Sequence, residues 1–328
     1  MLTFCEANAK KKIDIWGGQL YLTYLGWVLF VNHKVSSVND LRRISIIGLG
    51  LLGGSISLAV QHRMSKTAVV GYSHRRLTRK KARDLAVATE VADDLATAIA
   101  DADLVILATP IFTFEGYFAK INELARPDCI ITDVGSAKVL PHYWAKRRLT
   151  NRVHYVGSHP VAGSEQSGVE FARDDLFVQA RCVLTTGAPA NRQTVKTLKD
   201  FWSALGCFVE TMRPAEHDRV FANISHLPHL LAAGLVNASE PADLKRAGKG
   251  YLDSTRIASG PATIWTDTLL ANAENLTQGI DRVTAELSEL RNAIRAKDRE
   301  KIEALLEGAR RKRASLVKYK IRKKELLS

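Results

Sequence analysis

Cysteine is scarce: four residues, at positions 5, 129, 182 and 207 of 328, stand far apart with no Cys-x-x-Cys pair. That excludes a disulfide framework and a cysteine-based zinc site, and it leaves reduced, buried thiols in a cytosolic protein. Long apolar runs are missing as well. Leu20–Val31 is apolar for only twelve residues, short of the ~20 that a membrane helix needs. It follows Lys10-Lys11-Lys12, as the core of a signal peptide would, but no small-residue cleavage site comes after it. Residues 1–41 therefore read as an N-terminal extension outside the fold, and no membrane partner is expected. Internal repeats and low-complexity segments are absent.

Acidic residues are under-represented, 34 against 47 Lys and Arg, for a formal charge of +13. The excess is local. Residues 310–328 hold nine Lys or Arg and one Glu, so this basic tail carries +8 of the +13 and the body is only mildly basic. A solvated C-terminal tail needs no nucleic-acid partner, and a mildly basic body suits an anionic substrate and a phosphate-rich cofactor. At 46% hydrophobic and 25% charged residues the chain is globular and soluble, and its length calls for two domains.

What is present begins with Ile44-Ser-Ile-Ile-Gly48-Leu-Gly50-Leu-Leu-Gly53, a β-branched run broken by glycines at G-x-G-x-x-G spacing and followed by a helical pattern. Gly48 makes the tight turn, Gly50 lets the backbone approach a pyrophosphate, and Gly53 lets helix and strand pack closely. The pyrophosphate would lie on the helix N-terminus, along Leu49, Leu51 and Leu52. Further strands are expected at 67–72, 104–109, 129–134 and 153–157, with helices at 77–88, 111–124 and through Arg148. This alternation predicts a Rossmann-type, doubly wound parallel sheet with ligands at the strands' carboxyl ends. Pairing is expected to continue through 182–186, a helix at 191–205 and a strand at 207–211. The dinucleotide-binding domain then spans 42–213.

After Arg213-Pro214 only helical patterns recur: 219–236, broken at Pro228, then 261–288 and 290–306. Residues 214–309 read as an all-α domain for substrate binding and dimerisation, because so few helices cannot bury such long apolar faces alone. A homodimer through this half is expected.

The second strand ends Gly71-Tyr72-Ser73-His74-Arg75-Arg76 with no carboxylate. An acid there would bind the ribose 2′-hydroxyl of NAD, whereas Ser73 and Arg75 can hold a 2′-phosphate, with His74 flanking the ribose. NADP is therefore expected over NAD. Thr109-Pro110 ends the third strand. His159, between Ser and Pro in the glycine-rich segment 157–168, is placed in a loop at a strand's carboxyl end to meet the nicotinamide. A neutral imidazole there can take a proton from a hydroxyl as hydride leaves the same carbon. Ser136 offers a hydroxyl to orient that imidazole or the substrate. His226 and His229, three apart, lack a third ligand, so no metal is expected. His62, His74, His142, His154 and His217 read as surface or structural.

Taken together, Gly48–Ser55, Ala108-Thr109-Pro110, Asp133–Lys138, Gly157–Gly168 and Ser225-His226-Leu-Pro-His229 resemble the prephenate/arogenate dehydrogenase family of tyrosine biosynthesis, from about Arg42 to about Leu306. The resemblance implies oxidative decarboxylation of prephenate to 4-hydroxyphenylpyruvate, or of arogenate to tyrosine, with hydride passing to NAD(P). It implies that His159 polarises the 4-hydroxyl beside Ser136 and that Arg256 grips a carboxylate. His226, Ser164 and Gly250 complete the substrate set, and Trp265 closes the pocket from a partner subunit. A β-hydroxyacid-type dehydrogenase ranks lower, since the first helix of the helical half offers Arg219, His226 and His229 where such enzymes use a lysine. A third reading, from another class, is a dinucleotide-sensing or nucleic-acid-associated binding protein that uses the basic tail.

Overall fold

The computed structural model describes residue 35 and residues 37–322, except 164–165 and 188–190, together with the backbone of three strands within residues 12–30. Those strands, β1 (Lys12–Trp16), β2 (Gln19–Tyr24) and β3 (Trp27–Phe30), pair with one another as an antiparallel meander. The rest of the expected N-terminal extension up to Lys34 lies outside the described residues.

Six parallel strands build the main sheet: β4 (Arg43–Ile47), β5 (Ala68–Tyr72), β6 (Glu90–Val91), β7 (Leu104–Leu107), β8 (Ile130–Asp133) and β9 (His154–Tyr155). Their order is β6-β5-β4-β7-β8-β9, so the chain starts in the middle, and the crevice between β4 and β7 is the switch point where such sheets take ligands. Helices α1 (Leu51–Arg63), α2 (Arg76–Asp84), α3 (Leu95–Ile99), α4 (Phe114–Leu124) and α5 (Val139–Arg148) alternate with the strands. Both faces are covered, which is why these strands read as continuous apolar runs. Ile44, Ile46, Leu104 and Ile106 pack with Ile56 and Val60 of α1 on one side. Ile47, Val105 and Leu107 pack with Phe114, Phe118 and Ile121 of α4 on the other. Helix α2 stops at Asp84, short of the expected Ala88, and Ala86 just beyond it takes a left-handed φ of 49°.

The sheet does not continue as expected. β10 (Gly157–Val161), β11 (Arg181–Thr185) and β12 (Phe208–Met212) form a separate three-stranded sheet, β10 antiparallel to β11 and β11 parallel to β12. Helix α6 (Arg192–Ala204) lies between β11 and β12 in sequence, started by Asn191, whose side chain accepts from Gln193 and Thr194 N–H. The two sheets are stitched at Ser158: its Oγ lies 2.6 Å from Thr132 Oγ1 of β8 and accepts from Trp202 Nε1 of α6 at 3.0 Å.

From Pro214 onward the described residues are helical. They form α7 (Pro214–Phe221), a π-helical turn (Ala222–His226), α8 (Leu227–Asn237), α9 (Pro241–Leu244), α10 (Lys249–Thr255), a 3-10 turn (Arg256–Ser259), α11 (Ala262–Ala271), α12 (Ala273–Arg295) and α13 (Arg299–Arg322). Pro228 sits in the first turn of α8, so its missing N–H falls where the wider π turn already interrupts the regular ladder. The long patterns break at different places from those expected: at Asn272, between α11 and α12, and at Lys297, which adopts φ 54°. The basic stretch that reads as a separate tail is the second half of α13 through Arg322. No described helix is long and apolar enough to cross a membrane.

Candidate active site

The glycine turn meets its steric expectations. Gly48 has φ 105°, donates its N–H to Tyr72 O at 2.7 Å, and a Cβ there would lie 2.3 Å from Ala108 O. A Cβ on Gly53 would lie 1.8 Å from Gly48 O, so only glycine lets α1 approach its own strand. Around Gly50 nothing comes within 4 Å of such an atom. Gly50 begins α1 without a side-chain cap, so the first-turn N–H groups face an open cradle, and a pyrophosphate fits it. Leu51 and Leu52 are half-buried at this turn. The side chain of Leu49 instead turns inward: it is 1% exposed and packs where a Cβ on Gly71 would strike it at 2.8 Å.

At the end of β5, Ser73 is buried and its Oγ accepts from Arg75 N–H at 3.3 Å. His74, Arg75 and Arg76 are exposed. Arg79 folds back to donate to Ser73 O at 2.8 Å and pairs with Asp93, which Arg83 also holds at 2.8 Å. The carboxylate of this neighbourhood is thus already balanced by two guanidinium groups, while Arg75 and Arg76 make no ion pair among the described residues. After β7, Thr109 Oγ1 shares a 2.7 Å hydrogen bond with Thr113, and Pro110 is exposed at the mouth of the crevice.

His159 is not in a loop. It lies in the middle of β10, opposite Val183 of β11, and is 6% exposed. Its Nδ1 lies 2.8 Å from Nε2 of His217, whose Nδ1 lies 2.7 Å from Asp218 Oδ1. The imidazole is therefore oriented by His217, a residue the sequence reads as surface or structural and which is fully buried. Asp218 further accepts the backbone N–H groups of Lys138 and Val139 at 2.7 and 2.8 Å, which start α5. Ser136, half-buried just before α5, makes no hydrogen bond to His159. Beneath the site the fully buried Lys138 pairs with Asp133 and donates to Ser158 O at 2.6 Å, and Tyr155 donates to Asp133 Oδ2 at 2.7 Å. This fixes the backbone beside His159 to the main sheet. Burial first, then the charges of His217, Lys138 and His226, hold the His159 imidazole well below its ordinary pKa. It is neutral at physiological pH and able to accept a proton.

His226, in the π turn, is fully buried; its Nδ1 lies 3.2 Å from Asn272 Nδ2, the same amide that donates to Asp218 O at 2.7 Å. Its Nε2 is buried with no hydrogen-bond partner among the described residues, and burial pushes its pKa down to about 4. Trp265 of α11 stacks on His229 of the same chain, ring centroids 3.5 Å apart and 13° from parallel, and stands edge-to-face with His226 at a centroid separation of 6.4 Å. Within one chain Trp265 is thus packed on His229. Arg256 opens the 3-10 turn after α10 and is exposed, as is Gly250 on α10. Ser164 lies outside the described residues. Asp218 and Asn272 escape the sequence reading because each is one polar residue within a helical pattern, and nothing local places it against β10.

Residues 56–211 match the nucleotide-binding domain of prephenate dehydrogenase, and residues 213–308 match the dimerization domain of the same family. A prephenate dehydrogenase of Bacillus subtilis is 35% identical over 79% of this chain and 72% of its own length. The chain belongs to the prephenate dehydrogenase family. It is accordingly a nicotinamide-dependent dehydrogenase. A cyclohexadienyl dehydrogenase of Zymomonas mobilis is 33% identical over 78% of this chain and 90% of its own length. The crystal structure of prephenate dehydrogenase from A. aeolicus, in complex with hydroxyphenyl propionate and NAD+, superposes with a TM-score of 0.78 at 32% identity, covering 84% of this chain and 98% of that one. Synechocystis arogenate dehydrogenase gives 0.70 at 27% identity over 84% and 99%.

Proposed function

We propose that this member of the prephenate dehydrogenase family oxidatively decarboxylates prephenate to 4-hydroxyphenylpyruvate, with NADP preferred over NAD. One observation carries the reading: a buried, neutral His159 whose second nitrogen has no hydrogen-bond partner among the described residues, held beside the carboxyl ends of the main sheet. Such a nitrogen takes the proton of the substrate's 4-hydroxyl. A nicotinamide dinucleotide bound along the start of α1 supplies the hydride acceptor. Ser136 is free to hydrogen-bond the same hydroxyl, and the planar fork of Arg256 suits a substrate carboxylate. On this reading His226, Trp265 and Gly250 contact the substrate, and Ser164 belongs to the same substrate set. Loss of CO2 then leaves an aromatic ring, which makes the step irreversible.

NADP is favoured by the exposed Arg75 beside Ser73 and by the neutralised Asp93. The mildly basic body favours prephenate, which carries two carboxylates and no cation, over arogenate. We assign 42–213 to the dinucleotide-binding domain and 214–309 to a helical domain that joins two copies in a cytosolic homodimer. Exposed Leu231, Leu235, Leu252, Ile264 and Leu270 support that contact.

The test is the absorbance of reduced nicotinamide with purified protein, crossing prephenate and arogenate with NAD and NADP. Turnover is expected with prephenate, at least tenfold better in kcat/KM with NADP. Turnover of arogenate alone moves the assignment to that substrate, a tenfold preference for NAD reverses the cofactor reading, and silence in all four arms overturns the function.

A further inference from the structure

His159 belongs to the nucleotide-binding half and His217-Asp218 to the first helix of the other half, yet the three side chains form one line of hydrogen bonds at 2.8 and 2.7 Å. The direction of that line follows from counting donors. Both carboxylate oxygens of Asp218 already accept: Oδ1 from Lys138 N–H and Oδ2 from Val139 N–H. Asp218 is therefore the acceptor toward His217, so His217 carries its proton on Nδ1 and leaves Nε2 bare. His159 must then donate from Nδ1, and its Nε2 is left as the bare nitrogen facing the reaction. Phe221 stacks on His217 at 4.4 Å and 22° and leans on His159 at 4.6 Å, so the line is sealed by an aromatic ring. Asp133 and Lys138 from β8 and the start of α5, and His226 from the π turn, are the other titratable groups facing it.

We propose that His217 and Asp218 form a proton relay behind His159: they set its tautomer as a base and take up the proton it displaces. This rests on His159 acting as base in the reaction above. The proton leaves the substrate hydroxyl for His159 Nε2, the proton on His159 Nδ1 passes to His217 Nε2, and the resulting imidazolium is paired with the Asp218 carboxylate. No proton is gained or lost by the three residues beyond the one taken from substrate. His217 and Asp218 are positioning residues, since neither meets the substrate. The consequence is that the helical half tunes the base carried by the other half.

Two variants at position 217 separate relay from scaffold. His217→Leu removes both the acceptor and the link to Asp218. His217→Gln keeps a carbonyl acceptor for His159 Nδ1–H but cannot carry the proton. The relay predicts a kcat loss of ~10²-fold for His217→Leu and about tenfold recovery with His217→Gln, with cofactor affinity by fluorescence titration unchanged in both. The acid limb of kcat/KM shifts to lower pH in His217→Leu, because the Asp218 charge no longer stabilises the protonated base. Equal losses in both variants with an unmoved acid limb, or no loss in either, overturn the relay. Nitrogen-15 NMR of histidine-labelled wild-type protein decides the tautomer whether or not the variants fold: protonated Nδ1 on His159 supports the relay, protonated Nε2 overturns it. This readout needs no turnover, so a protein silent on prephenate and arogenate fails the functional reading while the relay is still tested.

Discussion

The proposed choice of NADP turns on two residues, Ser73 and Arg75. A 2′-phosphate presents three oxygens and nearly two negative charges, so removing a guanidinium that pairs with it weakens that cofactor alone. Arg75→Ala is expected to raise KM for NADP by tenfold or more and to leave KM for NAD within twofold, measured under the same ionic strength. Equal effects on both cofactors would show that Arg75 does not read the 2′ position. The neighbouring Arg79 is not equivalent, since it is committed to Ser73 O and Asp93. At this scale the glycines are legible from the order of residues alone, because the contacts that exclude a Cβ at Gly48 and Gly53 come from the turn itself and the adjacent strand. Leu49 is legible only as part of the turn, and its side chain proves to be core. His217 is not legible. A histidine beside an aspartate in a helix's first turn has many harmless uses, and its partner stands 58 positions earlier in the chain.

Among elements, the turn between Arg256 and α11 positions Trp265, which the proposed function places in the substrate wall. A Cβ on Gly260 would lie 2.4 Å from Trp265 Nε1 and 3.4 Å from His229 Cε1, and neither stacked ring can swing away without breaking the pair. Gly260→Ala is expected to displace Trp265, raise KM for the substrate about tenfold and leave cofactor binding intact. Steady-state kinetics with both ligands varied would check it, and an unchanged substrate KM would exclude Trp265 from the pocket wall. The neighbouring π turn shows why helix patterns mislead near a site. Sequence periodicity announces one helix broken at Pro228, whereas the wider turn at Ala222–His226 carries His226 to Asn272. Likewise β10 is hidden. Its Ser-His-Pro composition carries no alternating apolar signal, and its strand character comes from pairing with β11 and from Ser158 being anchored to β8 and α6.

For the whole molecule, the buried histidines make stability depend on pH. His142 and His226 are both pushed down to about 4, chiefly by burial. In the unfolded chain each protonates near its ordinary pKa of about 6.5. Between those values the unfolded state binds protons that the folded state refuses. Stability is therefore full above about pH 6.5 and is lost as pH falls toward 4, by on the order of 3 kcal/mol per histidine at the lower end. Thermal unfolding midpoints should fall steadily from pH 7 to pH 5, and His142→Gln should flatten that slope. A midpoint that is constant or rises over this range would show that these imidazoles are not held neutral.

Apart from the short β6 and α3 and the second sheet, residue order alone specifies the Rossmann class of the first half, most of its strands and helices, the cofactor turn and the all-helical second half. Each of these is governed by interactions within a few residues or by a repeated apolar period, and local physics is written locally. Residue order also singles out His159, because a His-Pro pair among glycines is poorly suited to core filling. The place of this histidine on a strand of a second sheet, with His217, Asp218 and Asn272 behind it, comes instead from the packing of the folded chain. These placements depend on packing one half of the chain against the other, and that packing joins single polar residues whose neighbours in sequence carry no periodic signal. The direction in which His159 presents its lone pair is therefore a property of the assembled halves.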